Sequence, residues 1–227
     1  MATGSGRPLT QRDLDRAVRA VAALLDTDEV VVVGSQALIV ARDDIDRALR
    51  LSLEFDMYSA HASRWERENP GMEASEQVAG LLGENSDFHH QHGFFVDGVD
   101  ERTASLPPDW RERQIVREVE TSRGGRVRAV APCATDIVAA KLHRGDPKDQ
   151  EFASRCMRLG LTHYTDVLQS IRRVGAPGPV REHAERMLRA ASRKKNDFVA
   201  SKGPERDDPL EVMFKRLKGR RTKDGGR

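Results

Sequence analysis

Two short motifs in this 227-residue chain carry side chains that could do chemistry together. Gly34 and Ser35 follow a run of four valines, and Glu54 and Asp56 come after 18 intervening residues. Glycine lets the backbone approach a phosphate closely, and the serine hydroxyl adds a hydrogen bond. Carboxylates two positions apart on a strand point the same way, and their oxygens are ligands that Mg²⁺ prefers. The motifs therefore predict a phosphate-binding turn beside a magnesium site.

Each motif is common when it occurs alone. A Gly-Ser pair often follows a strand, and an acid-x-acid pair usually lies on a solvated strand face. The order of the two motifs, and their expected place at the same edge of one sheet, favour a combined site. Magnesium bound there would polarise the α-phosphate of a nucleotide and neutralise charge on the leaving pyrophosphate.

The hydrophobic pattern predicts the elements that must position these motifs. An amphipathic repeat with Thr10 as N-cap predicts a first helix, and the four valines predict a buried strand. Alternation of apolar and polar residues predicts a second strand, with Glu54 and Asp56 on its polar face. The predicted elements of this part are a helix over 10–26, a strand over 30–33, a helix over 36–50 and a strand over 51–58.

The rest of the chain divides into a strand-rich and a helix-rich part. Residues 61–93 are polar and helical in part, and end in a histidine-rich segment that reads as a polar turn entering a strand. His89, His90 and His92 form no recognised metal site, although a role as base or phosphate contact stays open. Further strands are predicted over 93–99, 113–119 and 126–130, and helices over 135–144, 146–160, 164–174 and 179–193.

Composition indicates a protein of the cytoplasm without a membrane span. Charged residues make up 33% of the chain, the mean hydropathy is −0.62, and the first residues lack the apolar core of a secretory signal. Cys133 and Cys156 lie far apart, which predicts neither a disulfide nor a zinc site. Residues 215–227 hold seven Lys or Arg against one Asp, a net +6 that leaves about −4 for the rest of the chain. Such a tail suits a polyanion such as RNA, and the alternative is a solvated, flexible end.

Several stretches resemble a known family. VVVGSQALI followed by SLEFDMY is similar to the nucleotidyltransferase superfamily, whose hallmark is Gly-Ser or Gly-Gly, a helix, and then Asp-x-Asp. GENSDFHHQHGFFVDGV, TASLPPDWRER and TDIVAAKLHRGDPKDQEF are more closely similar to bacterial nucleotidyltransferase-like proteins of the DUF6036 type, related to AbiEii and MenT-type toxins. The resemblance covers roughly residues 20–170.

The resemblance implies an α/β fold in which helices flank a mixed sheet. A nucleotidyltransferase-like α/β domain would span 1–131, a helical C-terminal part 132–193, and a basic tail 194–227. Gly34 and Ser35 would contact a triphosphate, and Glu54 and Asp56 would bind Mg²⁺. Lys141 would neutralise phosphates, and Asp149 would be an acid near the site. On the predicted helix, Arg144 adds a second cation close to Lys141.

The activity that the resemblance implies is transfer of a nucleoside monophosphate from an NTP to an acceptor hydroxyl. The acceptor would be the 3′ end of tRNA, or alternatively a hydroxyl of the protein itself or of another protein. The protein would be the toxin of a toxin-antitoxin pair, with a cognate antitoxin as partner. The alternative is a nucleotide-binding or interaction module without turnover. This chain has Glu54 where the pattern has aspartate, and the candidates for a third carboxylate are Glu118 and Glu120.

Overall fold

A computed structural model describes residues 7–50, 52–122 and 124–202. The described chain contains a mixed five-stranded sheet with helices packed on it and a helical C-terminal part, so the predicted fold class is confirmed. The strands are β1 (Glu29–Val33), β2 (Glu54–Ser59), β3 (Phe95–Gly98), β4 (Ile115–Glu120) and β5 (Arg126–Ala131).

Helices precede, interrupt and follow the strands. In chain order they are α1 (Gln11–Leu25), α2 (Leu38–Ala41), α3 (Ala62–Glu68), α4 (Ala74–Leu82), α5 (Asp87–His92), α6 (Ala134–Arg144), α7 (Pro147–Arg158), α8 (Tyr164–Arg173) and α9 (Gly178–Lys202). Two 3-10 turns cover Arg47–Leu49 and Trp110–Arg113. The basic residues 215–227 lie outside the described residues.

The sheet has the order β3-β2-β1-β5-β4. Strand β1 is antiparallel to β2 and parallel to β5, whereas β2 is parallel to β3. The register pairs Val33 at the end of β1 with Asp56, and Asp56 with Asp97 on β3. The turn after β1 and the acids of two neighbouring strands therefore meet at one place on the sheet.

Both faces of the central strand are covered. Val30 and Val32 belong to the main core beneath α1, while Val31 and Val33 pack with Tyr58 and Trp110 in a smaller core on the opposite face. This double burial is what the continuous valine run predicted. Polar groups of the site lie on the face of the smaller core, because Asp56 and Tyr58 alternate with the buried Phe55 and Met57 along β2.

Helix α1 begins where its sequence predicts. The Thr10 side chain accepts a hydrogen bond from the Asp13 backbone N–H, and the Asp13 carboxylate accepts from the Thr10 N–H at 3.0 Å, which completes a capping box. Leu14, Val18 and Leu25 are buried along one face. The prediction of an amphipathic helix with a Thr10 cap is confirmed.

The predicted helix over residues 36–50 is wrong. Residues 34–37 form turns, α2 has four residues, and a loop with a short 3-10 turn completes the connection. Acidic side chains in this segment accept hydrogen bonds from backbone N–H groups of the 3-10 turn and of α1. Asp46 accepts from the Ala48 N–H at 2.8 Å, and Asp43 accepts from the Gln11 N–H at 2.9 Å at the start of α1.

The histidine-rich segment is helical rather than a turn. Ser86 caps α5 by accepting from the His89 N–H at 3.2 Å, and Gly93 ends the helix with a φ of 74°. The rings of Phe88 and Phe94 meet edge to face at 5.3 Å and fix this helix against β3. Within the described chain, no helix is long and apolar enough to cross a membrane.

Candidate active site

Gly34 brings the end of β1 directly against Asp56. The backbone φ of Gly34 is 71°, a conformation that favours glycine, and a Cβ placed there would lie 1.9 Å from Asp56 Oδ2. Glycine is thus required at this position for two independent reasons. Because α2 is so short, the polar groups near Gly34 are backbone groups of a turn rather than the N-terminus of a long helix.

Three carboxylates come together on β2 and β3. Glu54 and Asp56 lie on the same face of β2, as predicted, and both are half-buried. Asp97 is the register partner of Asp56 on β3 and is exposed. Asp97 was not among the sequence candidates for a third acid. Its place within FVDG, on a strand with alternating apolar residues, was the one signal that could have indicated it.

The negative charges of these three carboxylates repel one another. Burial, followed by the charges of Glu54 and Asp97, raises the pKa of Asp56 to about 6, although Lys141 and Arg144 act in the opposite sense. Burial and the charge of Glu54 also raise the pKa of Asp97. A cation bound among these carboxylates would relieve this repulsion, so the site is suited to a metal ion.

Helices α6 and α7 place two cations opposite the acids. Lys141 on α6 is 12% exposed, and its Nζ lies 3.6 Å from Asp149 Oδ1. Arg144 donates to both oxygens of Asp149, at 3.0 and 2.6 Å. Asp149 is 1% exposed, so it acts as a buried anchor that holds both cations at the junction of the two helices.

Lys141 is held in an unusual environment. Burial and the nearby Arg144 lower its pKa, whereas the charges of Asp149 and Asp56 raise it. Its Nζ also lies 4.9 Å from the centre of the Phe152 ring. Lys141 therefore interacts with one carboxylate of the sheet, Asp56, and with one of α7, Asp149. A bound phosphate group would further neutralise the charge of Lys141.

Two cavities meet at the same charged residues. Asp56, Lys141 and Arg144 line both of them. The larger, which we call the charged cavity, has a volume of about 450 Å³ and is also lined by Ser35, Glu54 and other polar residues. The smaller, the apolar cavity, has a volume of about 240 Å³ and extends past Gly34 between α6 and residues 103–106. The structure thus brings together Gly34, Ser35, Glu54, Asp56, Lys141, Arg144 and Asp149.

The other candidates for a third carboxylate lie elsewhere. Glu118 and Glu120 are exposed on β4, at the far edge of the sheet from β2. Three strand spacings, or about 14 Å, separate β4 from β2. Neither glutamate can take part in a site at Asp56, so this part of the prediction is wrong.

The donor set fits Mg²⁺ bound together with a nucleotide. In the described part of the chain, no group of three or more His, Cys, Asp or Glu side chains is arranged to hold a metal ion by itself. Mg²⁺ commonly uses only one or two carboxylates and completes its shell with water and substrate phosphates. Glu54 and Asp56 provide that number of carboxylates beside the cations that a triphosphate requires.

Comparison with known families agrees with this geometry. Residues 11–155 match the model of a family described as a nucleotidyltransferase of unknown function, DUF6036. The chain belongs to this family. The match spans every strand and every residue of the candidate site from Gly34 to Asp149, and it ends within α7. No curated protein and no solved structure matches the chain.

Membership of the nucleotidyltransferase family supports transfer of a nucleoside monophosphate as the general reaction and an NTP as substrate.

Proposed function

We propose that this protein is a metal-dependent nucleotidyltransferase that transfers NMP from an NTP to an acceptor hydroxyl. The observation that carries the proposal is the junction of two cavities, where acids of β2 face cations of α6. Acids alone would suit many metal sites, and cations alone would suit any phosphate. Acids and cations on opposite sides of a space large enough for a nucleotide are suited to nucleotidyl transfer.

Lys141 and Arg144 bind the phosphates in this proposal. Both side chains pair with Asp149 and line both cavities, so they are directed toward the shared end before a nucleotide binds. Such prior positioning lowers the entropy lost when a triphosphate binds. Ser35, which lines the charged cavity, adds a hydroxyl, and the backbone beside Gly34 can approach the phosphates closely.

Glu54 and Asp56 would hold Mg²⁺ together with phosphate oxygens of the nucleotide. When bound, the ion polarises the α-phosphate and offsets negative charge on the pyrophosphate that leaves. Asp97 is the register partner of Asp56 on the neighbouring strand and is exposed to solvent. Its raised pKa makes it a stronger base than an ordinary aspartate, so we assign it the proton of the acceptor hydroxyl.

The acceptor proposed here is RNA, specifically the 3′ end of tRNA, within a toxin-antitoxin pair of the AbiEii or MenT kind. Support comes from the sequence resemblance and from the net +6 of residues 215–227, which suits a polyanion. A cognate antitoxin would be the protein partner. Removal of residues 203–227, which leaves α9 intact, is expected to weaken binding of tRNA while leaving binding of NTP unchanged.

A second candidate is a nucleotide-binding module without turnover. It is favoured by one observation: among the described side chains, no three-residue group of metal ligands is arranged in advance. Both candidates predict binding of NTP, and only the first predicts release of pyrophosphate. Incubation with each NTP, Mg²⁺ and total tRNA separates the two.

The matched variants for that experiment are Asp56→Asn and Asp166→Asn. Asp166 is an exposed aspartate on α8 that lines neither cavity of the site. Transfer is expected for the original chain and Asp166→Asn and lost in Asp56→Asn. Binding of NTP without transfer to RNA or to any added protein would favour the second candidate. Full activity of Asp56→Asn would refute the site.

A further inference from the structure

The apolar cavity has a chemically divided lining. Asp56, Lys141 and Arg144 lie at the end that it shares with the charged cavity. Val33, Leu106 and Ile137 contribute aliphatic groups to the same lining, and Leu106 and Ile137 line this cavity only. A nucleoside triphosphate has the same division, because its phosphates carry the charge and its base is flat and weakly polar.

One wall of this cavity belongs to the long connection between β3 and β4. Residues 103–106 of this connection line the cavity, and two of them, Thr103 and Ser105, carry hydroxyls that can donate or accept hydrogen bonds. The opposite wall is α6, through Ile137 and Ala140. A base between these walls could contact the aliphatic groups of Leu106 and Ile137 and form hydrogen bonds with the hydroxyls of the loop wall.

A half-buried ion pair links the connection between β3 and β4 to α6. Arg113 ends the 3-10 turn that follows the loop wall, and its guanidinium donates to Asp136 Oδ2 at 3.1 Å and to Asp109 Oδ2 at 2.8 Å. Asp136 lies on α6 next to Ile137, is fully buried, and also accepts from Ser170 Oγ at 2.7 Å. The pair therefore joins the connection to the helix beside the cavity.

We propose that the apolar cavity binds the nucleoside part of the NTP between residues 103–106 and α6, and that Arg113 is a positioning residue for the loop wall. This assignment rests on the proposed function, since it takes the triphosphate to lie at Lys141 and Arg144. Nucleotide affinity is then divided between two separable parts, a phosphate part at the shared end and a base part in the apolar cavity.

Tripolyphosphate separates the two parts, because it has the phosphates of an NTP and no nucleoside. The binding of ATP, GTP, CTP, UTP and tripolyphosphate would be measured by calorimetry in Mg²⁺. Ala104→Leu adds bulk to the loop wall and is expected to weaken the best-bound NTP by about tenfold, while tripolyphosphate changes by less than about twofold. Lys141→Met should weaken both ligands.

Two further variants complete the test. Ala176→Leu makes the same change in the connection between α8 and α9, outside both cavities, and should leave both affinities unchanged. Arg113→Lys keeps the charge but loses the two-pronged contact, and should weaken NTP more than tripolyphosphate. If Arg113→Lys does not fold, Ala104→Leu alone decides the cavity assignment.

Unchanged NTP affinity in Ala104→Leu, or equal weakening of NTP and tripolyphosphate, would overturn the assignment. Nucleotidyl transfer by Ala104→Leu with the same KM for the NTP as the original chain would overturn the base site while leaving the proposed function intact. Conversely, selective loss of NTP affinity in a protein that transfers nothing would support the cavity and sink the proposed function. Absence of NTP binding by the original chain would overturn both.

Discussion

Asp56 is the residue at which the competing charges of the site meet. It lies against the backbone of Gly34 on one side and Asp97 on the other, and its pKa is raised to about 6. A raised pKa for a carboxyl group means that its charge costs free energy in the folded state. A bound cation would offset this cost, which favours binding of a cation at the site.

Asp56→Asn should stabilise the protein in the absence of Mg²⁺ and nucleotide. The folded pKa of about 6 exceeds the ordinary 3.8, so the folded state binds the proton more tightly. The cost of the charge is therefore absent below about pH 4, grows up to about pH 6 and is complete above it. Urea unfolding should show Asp56→Asn more stable by about 3 kcal/mol at pH 8 and equal at pH 3.5. Lower stability of this variant at pH 8 would contradict the charge assignment.

The same ionisation should appear in the pH dependence of catalysis. Below about pH 6 the Asp56 carboxyl group is protonated and can no longer bind a cation, so kcat/KM for the NTP should fall as the pH decreases. The expected slope approaches tenfold per pH unit at the acid side. Steady-state rates measured from about pH 5 to about pH 8 would determine this slope. A flat profile through pH 6 would mean that Asp56 is not needed in its ionised form.

At this scale the sequence predicted the pair on β2 and missed the third acid. Alternation within one strand is a local property, so Glu54 and Asp56 could be placed on one face without knowledge of the fold. Asp97 becomes their neighbour only because β3 pairs in parallel with β2, and that pairing is decided by long-range packing. Glu118 and Glu120 fitted the local sequence pattern equally well, but the order of strands in the sheet places them too far from Asp56 to share its site.

Among the elements, the turn after β1 most strongly restricts which residue can occupy it. Gly34→Ala places a methyl group 1.9 Å from Asp56 Oδ2 and also disfavours a φ of 71°. Gly160→Ala is the matched control, because Gly160 has a φ of 68° and open space around it. Gly160→Ala should cost about 1 kcal/mol of unfolding free energy and keep full activity. Gly34→Ala should cost more than this and abolish transfer, and equal effects of the two changes would show that the contact with Asp56 is unimportant.

Asp149 should contribute more to stability than its neighbour Asp146. Both aspartates contact Arg144, but Asp149 is 1% exposed and also pairs with Lys141, whereas Asp146 is 49% exposed. Asp149→Ala leaves two cations close together without their buried anion and should cost about 3 kcal/mol. Asp146→Ala should cost at most about 1 kcal/mol. Urea unfolding measures both, and similar costs would argue against Asp149 as the anchor.

The accuracy of the predicted elements depended on how local their signals were. Helix α1 carries a strong apolar repeat and a capping box, and its bounds agree with the prediction. Residues 36–50 carry a helical pattern of apolar residues, but the acids among them bind the 3-10 turn and the start of α1. The bond from Ala48 to Asp46 is local, whereas the bond from Gln11 to Asp43 is tertiary and cannot be recognised before the fold is known.

For the whole molecule, the site depends on how the helical part lies against the sheet. Asp56 comes from a strand and Lys141 from α6, 85 positions later, and the two line the same cavities. Their presence could be predicted from motifs and resemblance, whereas their meeting required the fold. The match of residues 11–155 to one family spans both halves of the site. The two halves are therefore expected to act as one unit.

The position of a radioactive label tests nucleotidyl transfer most directly. The protein would be incubated with Mg²⁺ and total tRNA and with each NTP, labelled once at the α-phosphate and once at the γ-phosphate. We expect the α-label to enter the acceptor, the γ-label to leave in pyrophosphate, and both to remain in the NTP when Asp56 is replaced by Asn. Transfer of the γ-label to the acceptor, or an unaltered NTP under every condition, would contradict the central claim.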